Sequence, residues 1–476
     1  MPRPDPTTLP MAPPESLPVT PALRPGALLV LALGSLGVFV VFLDTTIVNI
    51  AFPTISRSFH TTTGGLAWVL NAYSLVFAAM LIPAGRLADR YGRKRTFLIG
   101  LVGFAAMSAL CGIAPDTGVL VAGRALQAVF SALVVPTSLA LILPEFPAQR
   151  RHVAVGTWGT MSAAAAALGP TIGALLTEYA SWRWVFLVNV PICAVLVALG
   201  LRALTESRDP DADGVPDPLG ILLIAGIPAL LSFAIIEGPA WGWADARVLT
   251  AFVLAALLLP AFIVRSLRVR RPVMNLTLFA DRQFRLVSIA NLLFSTAFYG
   301  MLLGNVIFLQ TEWHYSVLHA ALAAVPTPLV VTAVSRAATS LAARIGYRTV
   351  LLAGGICWAA GSAALAVALG ASPHWLSGWL PWAILIGLGI GLTLPVQSGA
   401  AVQSLPPADY GVGSAINASF RQLGAVLGIS IFVAVLGTNG LDGFRHAWWV
   451  FAALGLASGL IVQLSRFRVS SGAPNA

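Results

Sequence analysis

The sequence predicts an all-α polytopic membrane protein with fourteen transmembrane helices, arranged as two six-helix bundles plus two inserted helices. Three observations lead to this prediction: an apolar composition, long uninterrupted apolar segments and an internal repeat. Of the 476 residues, 58% are hydrophobic and only 10% are charged, whereas a soluble protein carries roughly 25% charged residues. A membrane helix takes ~20 residues, so the hydrophobic residues suffice for about fourteen such helices. The composition excludes a soluble enzyme, a disordered chain and a secreted disulfide scaffold.

The apolar segments follow a proline-rich start. Residues 1–25 contain nine prolines and no apolar run, which predicts a disordered cytoplasmic N-terminal tail and no signal peptide. Each later segment is continuous, unlike the alternating pattern of a barrel strand. The predicted spans are 27–52, 65–84, 96–114, 118–143, 153–177, 184–204, 218–237, 247–266, 286–310, 318–342, 349–370, 379–402, 411–437 and 446–465.

The placement of the basic residues predicts the orientation. With the N-terminus inside, 21 of the 28 Lys and Arg residues lie in cytoplasmic segments and four lie outside, as the positive-inside rule requires. We therefore expect both termini in the cytoplasm, and the net charge of +10 to face lipid headgroups and not nucleic acid. Lys94 is the only lysine, and no Gly-Lys-Ser/Thr sequence exists for an ATP-binding loop. The arginine excess is typical of GC-rich bacterial coding sequences.

An internal repeat divides the chain. Residues 85–93 follow the second span, and residues 340–348 echo them after the tenth, with Ala343 in place of Asp89. Such repeated halves around a midplane site are typical of secondary transporters. The predicted domains after the tail are a six-helix bundle, a two-helix insert, a second six-helix bundle and a short cytoplasmic tail, at 26–205, 206–272, 273–466 and 467–476.

Several motifs together resemble a known family. They are Gly-x-Leu-Ala-Asp-Arg-x-Gly-Arg-Lys at 85–94, Leu-Asp-Thr-Thr-Ile-Val-Asn at 43–49, Arg-Ala-Leu-Gln at 124–127, Gly-Pro-x-x-Gly at 169–173, Trp-Arg-Trp-Val-Phe at 182–186, Asn-Val-Pro at 189–191 and Arg-Gln-Leu-Gly at 421–424. In these the chain resembles the major facilitator superfamily, and within it the fourteen-span drug:proton antiporters. The resemblance covers nearly the whole chain past residue 25, and it implies the major facilitator fold and transport by alternating access.

Asp44 is the acidic residue that lies well inside a predicted span. The other seventeen of the eighteen acidic residues fall in loops, in tails or near span ends. A carboxylate in the membrane costs ~2.5–3.5 kcal/mol on insertion scales and is a functional candidate by default. We expect Asp44 to bind and release a proton. The alternative is a satisfied polar residue that orients span 1.

Arg124 is the predicted partner of Asp44. At a rise of 1.5 Å per residue, Asp44 lies ~12 Å and Arg124 ~9 Å below the same outer face. An arginine at that depth needs a counter-charge or a water-filled cavity. We therefore predict an Asp44–Arg124 pair, and the resemblance implies that this arginine belongs to the proton-coupling machinery. The alternative is that Arg124 only fixes helix packing.

Two further motifs are candidates for conformational gating. In the loop after span 2 these are Gly85, Asp89, Arg90, Gly92 and Arg93, and in span 5 Gly169, Pro170 and Gly173. A carboxylate such as that of Asp89 is stabilised at a helix N-terminus of the other half, although the arginines also suit simple anchoring at the lipid surface. Small residues permit close helix approach and a proline forces a bend, so span 5 forms either a seal or a plain packing seam.

Polar and aromatic residues within the spans are candidates for the substrate cavity. They are Asn49, Tyr73, Gln127, Tyr299, Asn305, Gln397, Asn417, Arg421 and Gln422, with Trp68, Asn71 and Asn291 as further possibilities. Aromatic faces and amides suit amphiphilic or cationic molecules. Arg421 alternatively bonds backbone carbonyls at a helix break, and Arg336 is expected to extend to the headgroups.

These features favour a proton-coupled antiporter that exports amphiphilic or cationic small molecules, such as drugs and antibiotics, across the plasma membrane. A dedicated exporter of one endogenous metabolite remains open, and so does a non-transporting sensor or scaffold. A membrane enzyme is disfavoured, because the sequence has no Gly-x-Ser-x-Gly motif and no metal-binding His pair at helical spacing. The expected partners are the substrate, protons and the lipid bilayer. We expect no cofactor, no metal and a monomer.

Overall fold

The computed structural model describes residues 26–147, 150–208, 217–269, 272–406, 409–437 and 440–465, and these residues form helices and no strand. The predicted tails lie outside them, as do residues 209–216 of the predicted insert. The helices are α1 (Ala27–Phe59), α2 (Thr63–Tyr91), α3 (Arg93–Gly112), α4 (Thr117–Ile142), α5 (Arg151–Tyr179), α6 (Trp184–Leu187), α7 (Asn189–Ala203), α8 (Pro218–Trp241), α9 (Ala246–Arg268), α10 (Arg282–Thr311), α11 (Val317–Ala324), α12 (Pro326–Ile345), α13 (Tyr347–Ala368), α14 (Leu380–Val402), α15 (Tyr410–Leu436) and α16 (Gly440–Gln463).

The prediction of a many-spanning helical protein is confirmed. Within the described residues, 13 helical segments are long and apolar enough to cross a membrane. The fifth predicted span coincides with α5, a helix of 29 residues that is not among those 13. The count of fourteen spans therefore stays a prediction.

Several helices extend past the apolar segments that predicted them. The prediction placed the end of span 1 at residue 52, but α1 continues to Phe59 and stops at His60, whose φ is 50°. Likewise α2 continues to Tyr91 and stops at Gly92, whose φ of 113° favours glycine. Hydropathy marks the stretch that suits the membrane, whereas backbone hydrogen bonding continues until a residue leaves the helical conformation.

Two predicted spans are interrupted. The tenth divides into α11 and α12 at Val325, and the sixth divides into α6 and α7 at Val188. Pro326 and Pro191 lie in the first turns of α12 and α7. A proline has no N–H to bond the carbonyl one turn earlier, so a new helix starts there more readily than an old one continues.

The helices form two groups with an inserted pair beside them. In the first group α1 packs on α4 and α5, α2 packs on α4, and α3 packs on α4 and α7. In the second group α10 packs on α15 and α16, α13 on α14 and α16, and α12 on α14. The inserted helix α8 contacts α2 from one group, α15 from the other, and α9. It therefore lies along the seam between the two groups.

An ion pair joins the inserted helices at one end. Arg265 of α9 donates from Nε and Nη2 to the two carboxylate oxygens of Asp217, at 2.7 and 2.6 Å. Asp217 is the residue that precedes α8. The hydrogen bonds from Arg265 hold the pKa of Asp217 below its ordinary value. The carboxylate therefore stays ionised near neutral pH, and the contribution of the pair to stability is lost only as the pH falls through that lowered pKa.

The two groups are hydrogen-bonded at the end where α1 stops and α2 starts, which we call the outer end after the predicted orientation. Asn71 of α2 donates to Ser430 Oγ of α15 at 2.9 Å, and Gln310 of α10 donates to the Ile50 carbonyl of α1 at 3.2 Å. Helix α5 also contacts α11. These contacts hold the two groups together at the outer end, and near the middle of α2 Ser419 of α15 also donates to the Ala78 carbonyl at 3.1 Å.

Candidate functional site

The predicted contact between Asp44 and Arg124 is present at the centre of the first group. Arg124 Nη1 of α4 donates to Asp44 Oδ2 of α1 at 2.5 Å, and the two side chains are 1% and 0% exposed. Arg124 also donates from Nη1 to Gln127 Oε1 at 2.7 Å and from Nε to the Val69 carbonyl at 3.3 Å. Three helices thus share one guanidinium group.

Gln127 belongs to the same cluster and is fully buried. It lies one turn after Arg124 on α4, so both side chains face α1. Its Nε2 donates to Asp44 Oδ1 at 3.0 Å while its Oε1 accepts from Arg124. The sequence predicts Gln127 as a residue of the substrate cavity, whereas in the structure both ends of its amide bond the ion pair.

Tyr73 of α2 completes the arginine's surroundings. Its ring centroid lies 4.0 Å from the Arg124 guanidinium carbon, and its hydroxyl donates to Ser131 Oγ at 2.9 Å. A cation over an aromatic face is stabilised by the ring quadrupole. Tyr73 is therefore placed against the charged pair and is 1% exposed.

Two residues of the cluster were not among the predicted site residues. Asn189 Nδ2, at the start of α7, donates to Asp44 Oδ1 and to Ser108 Oγ, both at 3.0 Å. Ser108 of α3 also accepts from Gln127 and donates to the Phe186 carbonyl. The Asn-Val-Pro motif, one of those that carry the family resemblance, is the signal in the sequence that points to Asn189. A serine in an apolar segment, such as Ser108, gives no signal of its own.

Most of the other proposed cavity residues make hydrogen bonds within the protein. Asn49 donates to the Thr45 carbonyl of its own helix at 3.0 Å, and Asn305 accepts from Trp448 Nε1 at 3.0 Å. Gln397 donates to Ser458 Oγ at 3.1 Å, and Asn417 accepts from Asn291 through both its carbonyl and its side-chain oxygen. These contacts bring α10, α14, α15 and α16 together.

The remaining cavity candidates, Tyr299, Arg421 and Gln422, lie on α10 and α15. Tyr299 and Arg421 are half-buried, and Gln422 is buried. The ring of Tyr299 packs edge-on against Phe298 at 4.9 Å. Arg336, which the sequence analysis expected to extend to the headgroups, is exposed on α12. Tyr299 and Arg421 therefore remain partly accessible within the second group.

The loop predicted after span 2 is mostly helical: Asp89 and Arg90 lie in the last turn of α2, Arg93 begins α3, and only Gly92 separates the two helices. These residues are held by their own half of the molecule. Asp89 pairs with Arg93 at 2.9 Å, and Arg90 lies over the ring of Tyr91 at 5.4 Å. The backbone N–H groups of Lys94 and Arg95 donate to the two carboxylate oxygens of Glu206, each at 3.1 Å. This carboxylate caps the start of α3, where a negative charge is favoured.

The sequence predicts that Asp89 contacts a helix N-terminus of the other half. In this structure it pairs with Arg93 of its own half instead. A Cβ on Gly85 would meet only Pro136 within 4 Å, whereas a Cβ on Gly92 would meet the Glu206 carboxylate at 2.6 Å. The structure thus shows a tight backbone approach at Gly92. The contact of Asp89 with the other half stays a prediction for another conformation.

The small residues of the span 5 motif face α1 one turn from Asp44. A Cβ on Gly169 would overlap Thr46 Oγ1, and a Cβ on Gly173 would lie 2.6 Å from Ile50 Cγ2. Thr46 Oγ1 also donates to the Ala165 carbonyl at 3.4 Å. Pro170 lies within α5 between these glycines. The motif therefore sets how closely α5 approaches the helix that carries the buried carboxylate.

Comparison with known proteins decides the family. The family described as Major Facilitator Superfamily matches residues 34–287, which is more than half of the chain. The chain belongs to the Major Facilitator Superfamily.

Relatives within this superfamily are named for resistance and export. The tetracenomycin C resistance and export protein of Streptomyces glaucescens is 31% identical over 414 residues, covering 87% of this chain and 77% of that protein. The methylenomycin A resistance protein of Streptomyces coelicolor is 33% identical, with 90% and 89% covered. The multidrug efflux pump LfrA of Mycolicibacterium smegmatis is also 33% identical, with 89% and 83% covered.

Solved structures support the same fold. An auto-inhibited peptide transporter of the POT family superposes with a TM-score of 0.70 at 17% identity, covering 93% of this chain and 98% of that chain. At this identity the likeness shows the fold alone. Membership of this superfamily, together with the relatives named for resistance and export, makes the chain a multi-pass membrane transporter and not an enzyme.

The α1–α5 contact gives a testable prediction. Gly169→Ala is expected to lower transport several-fold, because overpacking a tight site typically costs about 1–3 kcal/mol. Adding Thr46→Ala is expected to recover part of the loss, since it removes the hydroxyl that the new methyl overlaps. Gly156→Ala on the same helix, where a Cβ meets no atom within 4 Å, is the matched control. Wild-type transport by Gly169→Ala would show that the close approach is dispensable.

Proposed function

We propose that this transporter exports amphiphilic or cationic small molecules, such as drugs and antibiotics, in exchange for protons by alternating access. The observation that carries the proposal is the Asp44–Arg124 pair, whose two side chains are at most 1% exposed inside a membrane-spanning bundle. A charge in that position is expensive and is a functional site by default. The names of the relatives, which refer to efflux and antibiotic resistance, support the export of small molecules.

The pair is suited to respond to protons because each side chain neutralises the charge of the other. While Asp44 is ionised it balances the charge of Arg124 and accepts three hydrogen bonds. A proton on Asp44 removes that balance, and the buried guanidinium must then find other partners or water. Such a change at the contact of α1 with α4 alters the relative stability of two conformations, which is what coupling requires.

The hydrogen-bonded outer end fits one state of the proposed cycle. Asn71–Ser430 and Gln310–Ile50 hold the halves together there, while Asp89 pairs with Arg93 within its own half. We assign this arrangement to the state that receives substrate from the cytoplasm. In the opposite state Asp89 would contact the other half, with residues 26–205 and 273–466 moving as two bodies.

The proposed functional unit is a monomer, since the Asp44 cluster is built from residues of one chain and needs none from a second copy. For the substrate cavity, half-buried Tyr299 and Arg421 on the second group are the preferred contacts among the predicted residues. Gln422, Asn49, Asn305, Gln397 and Asn417 are buried or engaged in packing, so they are expected to shape the cavity.

Proton coupling is tested with everted vesicles that contain the protein. Uptake of a fluorescent amphiphile should stop when a protonophore collapses the gradient. Asp44→Asn should lower gradient-driven uptake at least tenfold, because the amide does not take up and release a proton, yet it should retain counterflow of substrate without a gradient. Asp217→Asn removes a carboxylate that pairs with Arg265 far from the cluster, and it should keep both activities.

The two activities separate coupling from folding. Loss of both in Asp44→Asn, with normal folded yield, would mean that Asp44 serves binding or packing. Gradient-driven uptake that survives in Asp44→Asn, or uptake insensitive to the protonophore, would overturn the proposed coupling.

The proposed orientation places both termini in the cytoplasm of the cell. It is tested in a background from which the three native cysteines (Cys111, Cys193 and Cys357) are removed. An impermeant maleimide should label His374→Cys in intact cells, and Arg208→Cys only in everted vesicles; both positions are exposed. The reverse pattern would invert the topology and with it the direction of transport.

The substrate range separates the two export hypotheses. A susceptible bacterium that expresses the protein is challenged with cationic dyes and with unrelated natural products. Raised inhibitory concentrations for several chemical classes are expected for a multidrug exporter. Resistance to a single compound would favour the dedicated exporter, and no export of any compound would favour the sensor or scaffold.

A further inference from the structure

The cluster around Asp44 contains one polar atom without a hydrogen bond. Among the described residues, Asn189 Oδ1 has no partner although the side chain is 0% exposed. Both N–H groups of the same amide are used, one toward Asp44 Oδ1 and one toward Ser108 Oγ. An orphaned oxygen in a buried polar network calls for an explanation.

The cluster is complete only for an ionised Asp44. Oδ2 accepts from Arg124, and Oδ1 accepts from Gln127 and Asn189. All three neighbours present donors, which suits a carboxylate because it only accepts. A protonated carboxyl group instead carries an O–H, which needs an acceptor where the cluster now offers N–H groups.

Only one of these three neighbours has an acceptor oxygen that does not already accept a hydrogen bond. A guanidinium group has no acceptor, so Arg124 is excluded. Gln127 Oε1 already accepts from Arg124 at 2.7 Å, and turning this amide would face its NH₂ group against the guanidinium donors. Asn189 Oδ1 has no bond to lose.

We propose that Asn189 is the positioning residue for the proton at Asp44. When Asp44 Oδ1 takes up a proton from water, an O–H bond forms and the carboxylate loses its charge. The Asn189 amide then turns so that its Oδ1 accepts a hydrogen bond from the new O–H. The turn gives up the two hydrogen bonds that Nδ2 now donates, to Asp44 Oδ1 and Ser108 Oγ, and changes no covalent bond in Asn189. This inference rests on the proposed function, in which Asp44 binds the transported proton.

The Ser108 hydroxyl can rotate when the Asn189 amide rotates. Its hydroxyl now accepts from Asn189 Nδ2 and donates to the Phe186 carbonyl at 2.8 Å. That carbonyl also accepts from the Val188 backbone N–H, so it keeps a partner when the hydroxyl rotates. The Ser108 hydroxyl then donates to the turned Asn189 Oδ1.

Other ionisable groups near Asp44 are not competing acceptors of this kind. Arg124 of α4, Tyr73 of α2, Cys111 of α3 and Cys193 of α7 interact electrostatically with Asp44. The Tyr73 hydroxyl is bonded to Ser131, which in turn donates to the Gln127 carbonyl. The two thiols are weak acceptors. Asn189 remains the strong acceptor that is both adjacent and unoccupied.

The test is infrared difference spectroscopy of the full protein in lipid, recorded as the pH is lowered. A carboxylic acid C=O band should appear in the wild type and be absent in Asp44→Asn. It should be accompanied by a side-chain amide feature that moves when asparagine is labelled with ¹³C. In Asn189→Leu the acid band should persist at higher frequency, as for an acid without a hydrogen-bond acceptor, and the label-sensitive feature should vanish.

Asn291→Leu is the matched control, since Asn291 is also buried but bonds Asn417 within the second group and not Asp44; it should leave both bands in place. The labelled wild type tests the idea even where Asn189→Leu does not fold. An Asp44 band without a label-sensitive feature, or a feature that survives in Asn189→Leu, overturns the role of Asn189 alone. Absence of any Asp44-dependent band would overturn the proposed proton binding itself.

Discussion

Opposite charges remain inside a membrane-spanning bundle only when each one is neutralised and hydrogen-bonded, and Asp44 and Arg124 satisfy this condition through one another. Removing either partner from a buried pair typically destabilises a protein by about 3–5 kcal/mol, because the remaining charge is uncompensated. The pair lies between α1 and α4, and its further bonds reach Asn189 on α7 and the Val69 carbonyl on α2. The relative positions of these four helices therefore depend on the same interaction.

Close helix packing fixes the position of the helix that carries Asp44. Gly169 and Gly173 let α5 lie directly against α1 on its Thr46 and Ile50 side. In the second half Gly424 and Gly428 have the same effect, since a Cβ on Gly424 would lie 2.8 Å from the Leu292 carbonyl of α10. Helices in lipid gain little from burying apolar surface against each other, so small residues and the dispersion contacts they permit carry the packing. The charged pair determines which helices face one another, and the glycines determine how closely the helices approach.

The helices and the ion pair could be predicted from the sequence because apolar segments and a deep carboxylate are local signals. The helix ends could not, because α1 continues through Pro53 to Phe59 with polar residues in its last turns. Nor could the roles of Ser108 and Asn189, which arise where α3 and α7 converge on Asp44. Asn305 looked like a cavity residue in sequence, yet Trp448 occupies its oxygen. A polar residue inside a span has a partner that only the three-dimensional packing reveals.

Helix α2 connects the charged pair with the other half of the molecule. Tyr73 places its ring over Arg124, and two residues earlier Asn71 bonds Ser430 of α15. Residues two apart on a helix point to nearly opposite sides, so α2 is held between the cluster and the opposing group. The second group meets α2 with neutral hydrogen bonds, namely that between Asn71 and Ser430 and that from Ser419 to the Ala78 carbonyl, and these do not change with pH. In the proposed function, a proton-dependent shift of Arg124 would therefore act first on the Tyr73 face of α2, and the Asn71 face would carry the displacement to α15.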